Sequence, residues 1–206
     1  MSDYKDDNMW LMLGNCLERM KEIPDGSVDM ILADPPYGTT QNKWDSVIPL
    51  DLMWKELWRV LKPSGAVALC AAQPFSSVLV SSQLKNYKYE WVWVKNLKTG
   101  HLNARRMPMG GHETLQVFYR SPCTYNPQKR ERTDEVKSGN KKYGKTGNYG
   151  AQRGEYVDRQ SDWINPDTVL INIKCVHNSS GKVHPTQKPV ELMEYMVKTY
   201  TNEGET

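Results

Sequence analysis

The chain has 206 residues, 38% of them hydrophobic, with a mean hydropathy of −0.69 and a formal net charge of +3. This length suggests one domain, at most one with a large insertion. The sequence contains no run of about 20 apolar residues, which excludes a membrane-spanning helix, and its polar start argues against a secretory signal. The four cysteines lack paired CxxC spacing, so we expect no metal site and a reduced, cytoplasmic protein.

The first part of the chain alternates strand-like and helix-like patterns. We interpret residues 1–9 as a disordered or tag-like tail and predict a short strand at Leu11–Leu13. Apolar residues at helical spacing predict a helix over Cys16–Ile23. After a Pro-Asp-Gly-Ser turn, Val28–Ala33 is almost wholly apolar, which is typical of a strand covered on both faces, as in a parallel sheet.

The middle of the chain continues this alternation. An apolar stripe predicts a helix over Leu50–Leu61, and Lys62–Gly65 ends it. The elements predicted next are a strand at Ala66–Ala71, a helix at Phe75–Leu84, and strands at Tyr87–Val94 and Thr114–Tyr119. Between the last two strands, Lys95–His112 is predicted to be a long, basic, glycine-containing loop. The order predicts a doubly wound α/β sheet with a closing hairpin.

Charge and composition change after residue 119. Residues 120–159 carry ten basic and five acidic side chains, and apolar periodicity disappears there. We interpret residues 121–175, which include a strand candidate at Val169–Ile173, as an insert in the α/β part formed by residues 10–120. Residues 176–206 are predicted to return to that part as a polar loop and a final helix that starts at Pro189.

The tetrapeptide Asp34-Pro35-Pro36-Tyr37 follows a predicted strand, and open α/β sheets bind ligands at the carboxyl ends of their strands. Its carboxylate and a backbone carbonyl can both accept hydrogen bonds from one amino group. The prolines add no N–H donor and restrict the backbone, and the tyrosine ring offers a face to a planar base. Taken alone, the segment could equally be a simple turn.

Four further segments accompany the tetrapeptide: Gly14–Leu17 before it, and Arg59–Gly65, His112–Thr114 and His184–Pro189 after it. This ordered set closely resembles the amino-group DNA methyltransferases in their permuted (beta-type) order, with the catalytic motif before the cofactor motif. The resemblance runs from about Trp10 to the end of the chain. It implies a Rossmann-like methyltransferase sheet with an inserted basic target-recognition region.

The resemblance also implies a reaction. Enzymes of this family transfer a methyl group from S-adenosylmethionine to the exocyclic amine of a base in double-stranded DNA, and the base must first be flipped out. Asp34 and the carbonyl of Pro35 would accept hydrogen bonds from that amine, Pro36 would fix the backbone, and Tyr37 would stack on the base. A leading Asp in this motif favours adenine N6, with cytosine N4 as the second target.

Cofactor and DNA contacts are implied as well. The residues that would contact the cofactor are Asn15, Cys16, Asp34, His184, Thr186, Gln187 and Lys188. The loop from His184 to Lys188 could otherwise simply cap the last helix. The residues that would bind DNA phosphates, making binding dependent on salt, are Lys129, Arg130, Arg132, Lys141, Lys142 and Arg153. The alternative for this basic stretch is a solvated, disordered loop.

The sequence departs from the family's pattern near its end. The glycine-rich cofactor turn that follows the last helix in the family has no counterpart before Thr206. We therefore expect an incomplete sheet that lacks two cofactor-side strands. Three interpretations stay open: a methyltransferase truncated before that motif and inactive alone, half of a split enzyme completed by a second chain or a homodimer, and a non-catalytic DNA-binding remnant.

Overall fold

Two compact units make up the computed structural model, which describes residues 3–131, 162–177, 182–184 and 186–206. The first unit comprises residues 1–126 and 167–206, and the second comprises residues 127–166. The segment predicted as an insert, residues 121–175, is therefore longer at both ends than the second unit. Among the described residues, none of the helices has the length and apolar character needed to cross a membrane.

The elements follow one another nearly as predicted. The helices are α1 (Cys16–Arg19, continued by a 3-10 turn at Met20–Glu22), α2 (Leu50–Val60), α3 (Phe75–Ser82) and α4 (Val190–Tyr200). The strands are β1 (Tyr4–Lys5), β2 (Trp10–Leu11), β3 (Val28–Ala33), β4 (Leu61–Ala71), β5 (Tyr87–Thr99), β6 (Gly110–Phe118), β7 (Arg130–Glu131), β8 (Trp163–Ile164) and β9 (Val169–Leu170). Strands β7 and β8 form an antiparallel pair in the second unit.

The central sheet of the first unit has the strand order β3-β4-β6-β5-β9. Strands β3 and β4 are parallel, β6 runs antiparallel to both β4 and β5, and the short β9 is parallel to β5. Ala33 pairs with Leu69, and Ala71 pairs with Thr114. Strands β3, β4 and β5 therefore end, and β6 begins, at one edge of the sheet, which we call the Asp34 edge because Asp34 follows β3 there.

Both faces of this sheet are buried, as the apolar run in β3 predicted. Helix α4 packs Leu192 against one face, and α2 packs Trp54 against the other. Successive residues of β6 alternate between the faces, so Leu115 belongs to the α4 side and Phe118 to the α2 side. These four side chains are at most 2% exposed, and burying each contributes roughly 1.5–3 kcal/mol.

Strand β4 is longer than the sequence predicted. It begins at Leu61, so Lys62–Gly65 continues alongside β3 instead of only ending the preceding helix. Gly65 allows this close approach, because a Cβ atom there would lie 2.7 Å from the backbone oxygen of Asp29.

The prediction of a loop over Lys95–His112 is wrong at both ends, where five residues continue β5 and three begin β6, and residues 100–109 lie outside the strands. Strand β5 continues to Thr99 and β6 starts at Gly110, with Val94 paired to His112 and Thr99 to Gly110. The charge on Lys95 indicated a loop, but Glu113, 18 positions further along, accepts a hydrogen bond from it. The segment is therefore the outer part of a β-hairpin.

The chain's first described residues also differ from expectation. Strand β1 pairs with β2 in a separate two-stranded sheet, so residues 3–9 are not a structureless tail and the strand near Leu11 does not join the central sheet. The turn between them is stabilised by Asp6, whose carboxylate accepts the backbone N–H groups of Asn8 and Met9.

The outer edge of β3 is bonded to the end of the chain. In the described part of the chain, β4 is the only strand that pairs with β3. At the opposite edge, the backbone N–H groups of Asp29 and Met30 donate to the carbonyl oxygen of Thr206. The first unit is thus a mixed α/β sheet with helices on both faces.

Candidate active site

Asp34 is the centre of the candidate site. It follows β3 directly, and its side chain is 33% exposed at the Asp34 edge. The Tyr37 hydroxyl donates to Asp34 Oδ1 over 2.8 Å, and Lys188 Nζ donates to Asp34 Oδ2 over 2.8 Å. The structure thus brings together three residues, from the tetrapeptide and the loop before α4, that the sequence singled out.

Asp34 is the first of four charged side chains, alternately negative and positive, that are linked by ion pairs. Lys188 Nζ is also 3.2 Å from Glu113 Oε2, and Lys95 Nζ donates to Glu113 Oε1 over 2.8 Å. The side chains of Lys188, Glu113 and Lys95 are only 12%, 19% and 7% exposed. Two ammonium groups and two carboxylates therefore neutralise one another, and of the four side chains Asp34 is the most exposed to water.

The surroundings of Lys188 and Glu113 keep both side chains charged. Burial by itself would lower the pKa of Lys188, but the carboxylates of Glu113 and Asp34 outweigh it, so the pKa lies above the usual value. Burial would likewise raise the pKa of Glu113, but the charges of Lys188 and Lys95 outweigh it, so the pKa lies below its usual value. Lys188 is therefore a fixed cation beside Asp34 at neutral pH.

Tyr37 is held as a neutral, partly buried phenol. Its ring stacks on Phe75, the first residue of α3, with centroids 5.3 Å apart and an interplanar angle of 16°. Burial, followed by the charge of Asp34, raises the pKa of Tyr37. The same two causes raise the pKa of the nearby thiol of Cys70 to about 12. Cys70 is therefore protonated at neutral pH and unsuited to nucleophilic catalysis.

The loop after Tyr37 is organised by one buried carboxylate. Asp45 accepts the backbone N–H groups of Gly38, Thr39 and Thr40 over 2.9, 2.9 and 2.7 Å. These bonds, the one from Gly38 foremost, lower the pKa of Asp45 to about 2. Gly38 has a φ of 68°, a left-handed conformation that glycine adopts without a steric penalty.

The loop that carries Lys188 folds upon itself. The backbone N–H of Thr186 donates to His184 Nδ1 over 3.3 Å, and Gln187 Oε1 accepts the backbone N–H of Val183 over 2.9 Å. The ring of Trp44 meets His184 edge-on at a centroid distance of 5.5 Å. The Asp45-organised loop and the His184 loop therefore touch each other beside the Asp34 edge.

The remaining residues singled out from the sequence lie elsewhere. Asn15 caps α1 by accepting the backbone N–H of Leu17 over 2.9 Å, and Cys16 is exposed. Within the described residues, no hydrogen bond or ion pair joins either of them to Asp34. Lys129 and Arg130 are exposed in the second unit. The other predicted DNA-binding residues lie outside the described residues: Arg132, Lys141, Lys142 and Arg153.

A comparison with protein families identifies the kind of protein to which this site belongs. A family model described as DNA methylase, for N6 and N4 methyltransferases, matches residues 28–206. The chain belongs to this DNA methylase family. The resemblance to amino-group DNA methyltransferases that the ordered motifs indicated is thereby confirmed.

Curated relatives support the same family. The chain is 27% identical to the type II methyltransferase M.HpaI of Haemophilus parainfluenzae over 212 residues, covering 95% of this chain and 60% of the relative. It is 27% identical to the type II methyltransferase M.BglII of Bacillus subtilis, covering 91% of this chain and 55% of the relative. The chain thus spans somewhat more than half the length of these relatives.

Solved structures confirm the Rossmann-like fold of the family. The PvuII DNA methyltransferase, which is cytosine-N4-specific, matches with a TM-score of 0.60 at 14% identity, covering 94% of this chain and 71% of that one. The structure of M1.HpyAVI matches with a TM-score of 0.52 at 17% identity, covering 92% and 72%. The M1.HpyAVI–SAM complex matches with a TM-score of 0.50 at 19% identity, covering 92% and 74%.

Four residues of the site had no assigned role in the sequence analysis: Lys95, Glu113, Asp45 and Phe75. Glu113 stood in a recognised segment, but nothing local indicated its partner. The charge of Lys95 was interpreted as the start of a loop, because a lysine next to apolar strand residues is expected at the surface. Asp45 gave a weak signal as an Asp shortly after a glycine turn, and Phe75 gave none beyond its place in an apolar helix.

Proposed function

We propose that this chain carries the catalytic site of a site-specific DNA methyltransferase that methylates the exocyclic N6 amine of adenine. The observation that carries the proposal is the placement of Asp34 at the exposed end of β3, between Tyr37 and Lys188. A carboxylate accepts about four hydrogen bonds in all, and these two donors leave capacity for an incoming amine.

Asp34 is suited to hold the target amine. Its carboxylate accepts one N–H of the amine, and the carbonyl of Pro35 accepts the other, which directs the nitrogen lone pair away from both acceptors. The amine nitrogen must lose one proton in the reaction, and an Asp34 oxygen would accept it. This assistance consists of positioning and charge stabilisation, and it needs no covalent nucleophile.

Tyr37 is suited to receive a base that has left the duplex. Phe75 covers one face of the Tyr37 ring, so a flipped base stacks on the other. Lys188 Nζ lies 5.6 Å from the centre of that ring, and the incoming base competes with it for both Tyr37 and Asp34. Stacking of this kind contributes about 1–3 kcal/mol, which offsets part of the cost of unstacking the base.

The donor set at the Asp34 edge fits S-adenosylmethionine. The amino acid end of this molecule carries a carboxylate and an ammonium group, and the Asp34 edge offers the Lys188 cation beside two carboxylates. When bound, S-adenosylmethionine supplies a methyl group activated by its sulfonium charge. The side chains we assign to its two ends are His184, Thr186, Gln187, Lys188 and Asp34 for the methionine part, and Asn15 and Cys16 for the adenine part.

We assign recognition of the DNA sequence to the basic segment of residues 121–175. Lys129 and Arg130, which are exposed, neutralise phosphates in this proposal, as do Arg132, Lys141, Lys142 and Arg153. Such contacts position the duplex without reading its bases. We assign the base-specific contacts to other groups of the same segment.

The proposal is tested by methylation of plasmid DNA with isotopically labelled S-adenosylmethionine, followed by mass spectrometry of the nucleosides. The unaltered chain is compared with Asp34→Asn and with the matched control Asp51→Asn, an exposed carboxylate in the first turn of α2. N6-methyladenine from the unaltered chain and the control, alone or with a second chain that completes the cofactor site, would support the proposal. Asp34→Asn should lower the rate by roughly 10²–10³-fold, as removing one electrostatic contact to a reacting group does.

Each other result contradicts part of the proposal. N4-methylcytosine instead of N6-methyladenine would correct the target base. Equal rates for Asp34→Asn and the unaltered chain would remove Asp34 from catalysis. DNA binding without methylation would favour the non-catalytic remnant, unless a second chain restored activity and so favoured the split enzyme.

A further inference from the structure

We propose that the hairpin segment Lys95–His112, called here the basic hairpin, binds the phosphate backbone of duplex DNA next to the base that Asp34 receives. The inference rests on the proposed function, because a duplex is brought to the Asp34 edge only if the chain acts on DNA. The residues proposed above to bind phosphates, from Lys129 to Arg153, belong to a different segment of the sequence.

The basic hairpin projects from the same edge of the sheet as Asp34. The last pair between β4 and β6 is Ala71 with Thr114, whereas β5 and β6 continue pairing beyond it as far as Thr99 and Gly110. Beyond Thr114, four residues of β6, Gly110–Glu113, pair with β5, which is bulged between Val94 and Thr99. At about 3.3 Å per residue the paired part extends about 13 Å, close to the width of the major groove of B-DNA.

Its charge matches the phosphate backbone. Between Glu90 and Glu113 the sequence contains no acidic residue, and Lys95 is already paired with Glu113. The cations of the outer hairpin are Lys98, Arg105 and Arg106, and all three are exposed. Within the described ranges, none of the three forms an ion pair. They are therefore available to an anionic partner.

Hydrogen bonds hold the hairpin at its base and at its tip. Its base is attached by Trp93 Nε1, which donates to the carbonyl of Ile173 over 2.8 Å, and by Asn96 Oδ1, which accepts the backbone N–H of Cys175 over 2.8 Å. At the tip, the backbone N–H of Arg106 donates to the carbonyl of Asn103 over 2.8 Å. Because the cations are carried on a hydrogen-bonded backbone, the ordering cost of binding falls mainly on their side chains.

Large apolar side chains stand among these cations. Leu102 is 88% exposed, Met107 59% and Met109 41%. A loop that serves only as a solvated connection has no reason to expose three of them together. Proteins that bend or open a duplex insert such side chains between base steps, so the tip combines phosphate binding with a surface suited to an opened base step.

The test measures binding of a fluorescein-labelled duplex by fluorescence anisotropy between about 50 and 200 mM salt. The unaltered chain is compared with Arg105→Ala/Arg106→Ala. The matched control is Lys85→Ala/Lys88→Ala, which removes two exposed cations at the opposite end of β5. Circular dichroism and thermal unfolding check that both variants are folded.

Removal of one phosphate-binding cation should lower the slope of log K against log salt by about 0.9 and weaken binding about eightfold at 0.1 M salt. We expect the arginine variant to bind roughly 10- to 60-fold more weakly, with a slope smaller by about 2, and the control to bind like the unaltered chain. Unchanged affinity and slope in the arginine variant would overturn this inference while leaving the proposed function intact. Equal weakening in both variants would also overturn it, and failure of the unaltered chain to bind DNA would overturn both.

Discussion

Lys188→Met removes the cation that lies between Asp34 and Glu113 while keeping a long side chain in its place. Lys188 lies 2.8 Å from Asp34 Oδ2 and 3.2 Å from Glu113 Oε2. At an effective dielectric constant of about 20, these separations correspond to attractions of about 6 and 5 kcal/mol. The desolvation of the ammonium group offsets several kcal/mol of this sum.

Two further features of the site reduce the expected loss. Asp34 is one-third exposed, so water screens its attraction to Lys188. Glu113 keeps Lys95 as a partner, so it is not left as an isolated charge. We expect Lys188→Met to lower the free energy of unfolding by about 2–4 kcal/mol, at or below the range for breaking a buried ion pair.

Urea denaturation followed by tryptophan fluorescence measures this change. The control is Lys198→Met in α4, because Lys198 is exposed and, within the described residues, its ion pair is with Glu194 one turn away. Its loss should be at most about 0.5 kcal/mol. A double-mutant cycle with Glu113→Gln isolates the Lys188–Glu113 pair, for which we expect a coupling of about 1–3 kcal/mol. A loss of unfolding free energy in Lys188→Met no larger than in the control would show that Lys188 does not stabilise the fold through these ion pairs.

Three further predictions concern residues around the site. Because its folded-state pKa is lowered to about 2, Asp45 contributes stability that is present above about pH 4 and is lost as the pH falls toward 2. The NMR signal of the Thr40 amide should therefore change with a midpoint near pH 2, and a midpoint near pH 4 would contradict this prediction. Since the pKa of Cys70 is raised to about 12, a thiol reagent at pH 8 should label Cys16 in the folded protein and reach Cys70 only after denaturation; rapid labelling of Cys70 would refute its burial. Gly65→Ala should lower the free energy of unfolding by about 1–3 kcal/mol, because its Cβ would lie 2.7 Å from a backbone oxygen of β3, and an unchanged urea midpoint would disprove that close approach.

Local patterns were sufficient to predict the core elements of the fold. The strand predicted at Val28–Ala33 has the same first and last residues as β3. An apolar run of strand length lies there between a turn and two prolines, and this combination favours a single buried strand. The stripe containing Trp54 and Leu57 predicted α2 to within one residue. In both cases the information lies within the element itself, in its periodicity and in the residues that end it.

Contacts between distant parts of the chain could not be predicted in this way. Lys95 remains in a strand because Glu113 neutralises it, and Asp34 meets Lys188 from 154 positions away. The sequence indicated that Asp34 and Lys188 belong to one site through family resemblance, not through any local pattern. It gave no indication that Asp45 holds three backbone N–H groups, since those bonds depend on how the loop folds back.

The alternation of β6 between the two buried faces determines where insertions can be tolerated. One residue inserted between Glu113 and Gln116 would turn every later side chain of β6 to the other face, placing Gln116 among the apolar residues beneath α4. A residue inserted into the tip at 100–109 changes no register inside the sheet, since the whole tip is exposed. The hairpin can therefore vary in length and charge while Glu113 stays beside Lys188, so the reach of the hairpin can change without altering the contacts around Asp34.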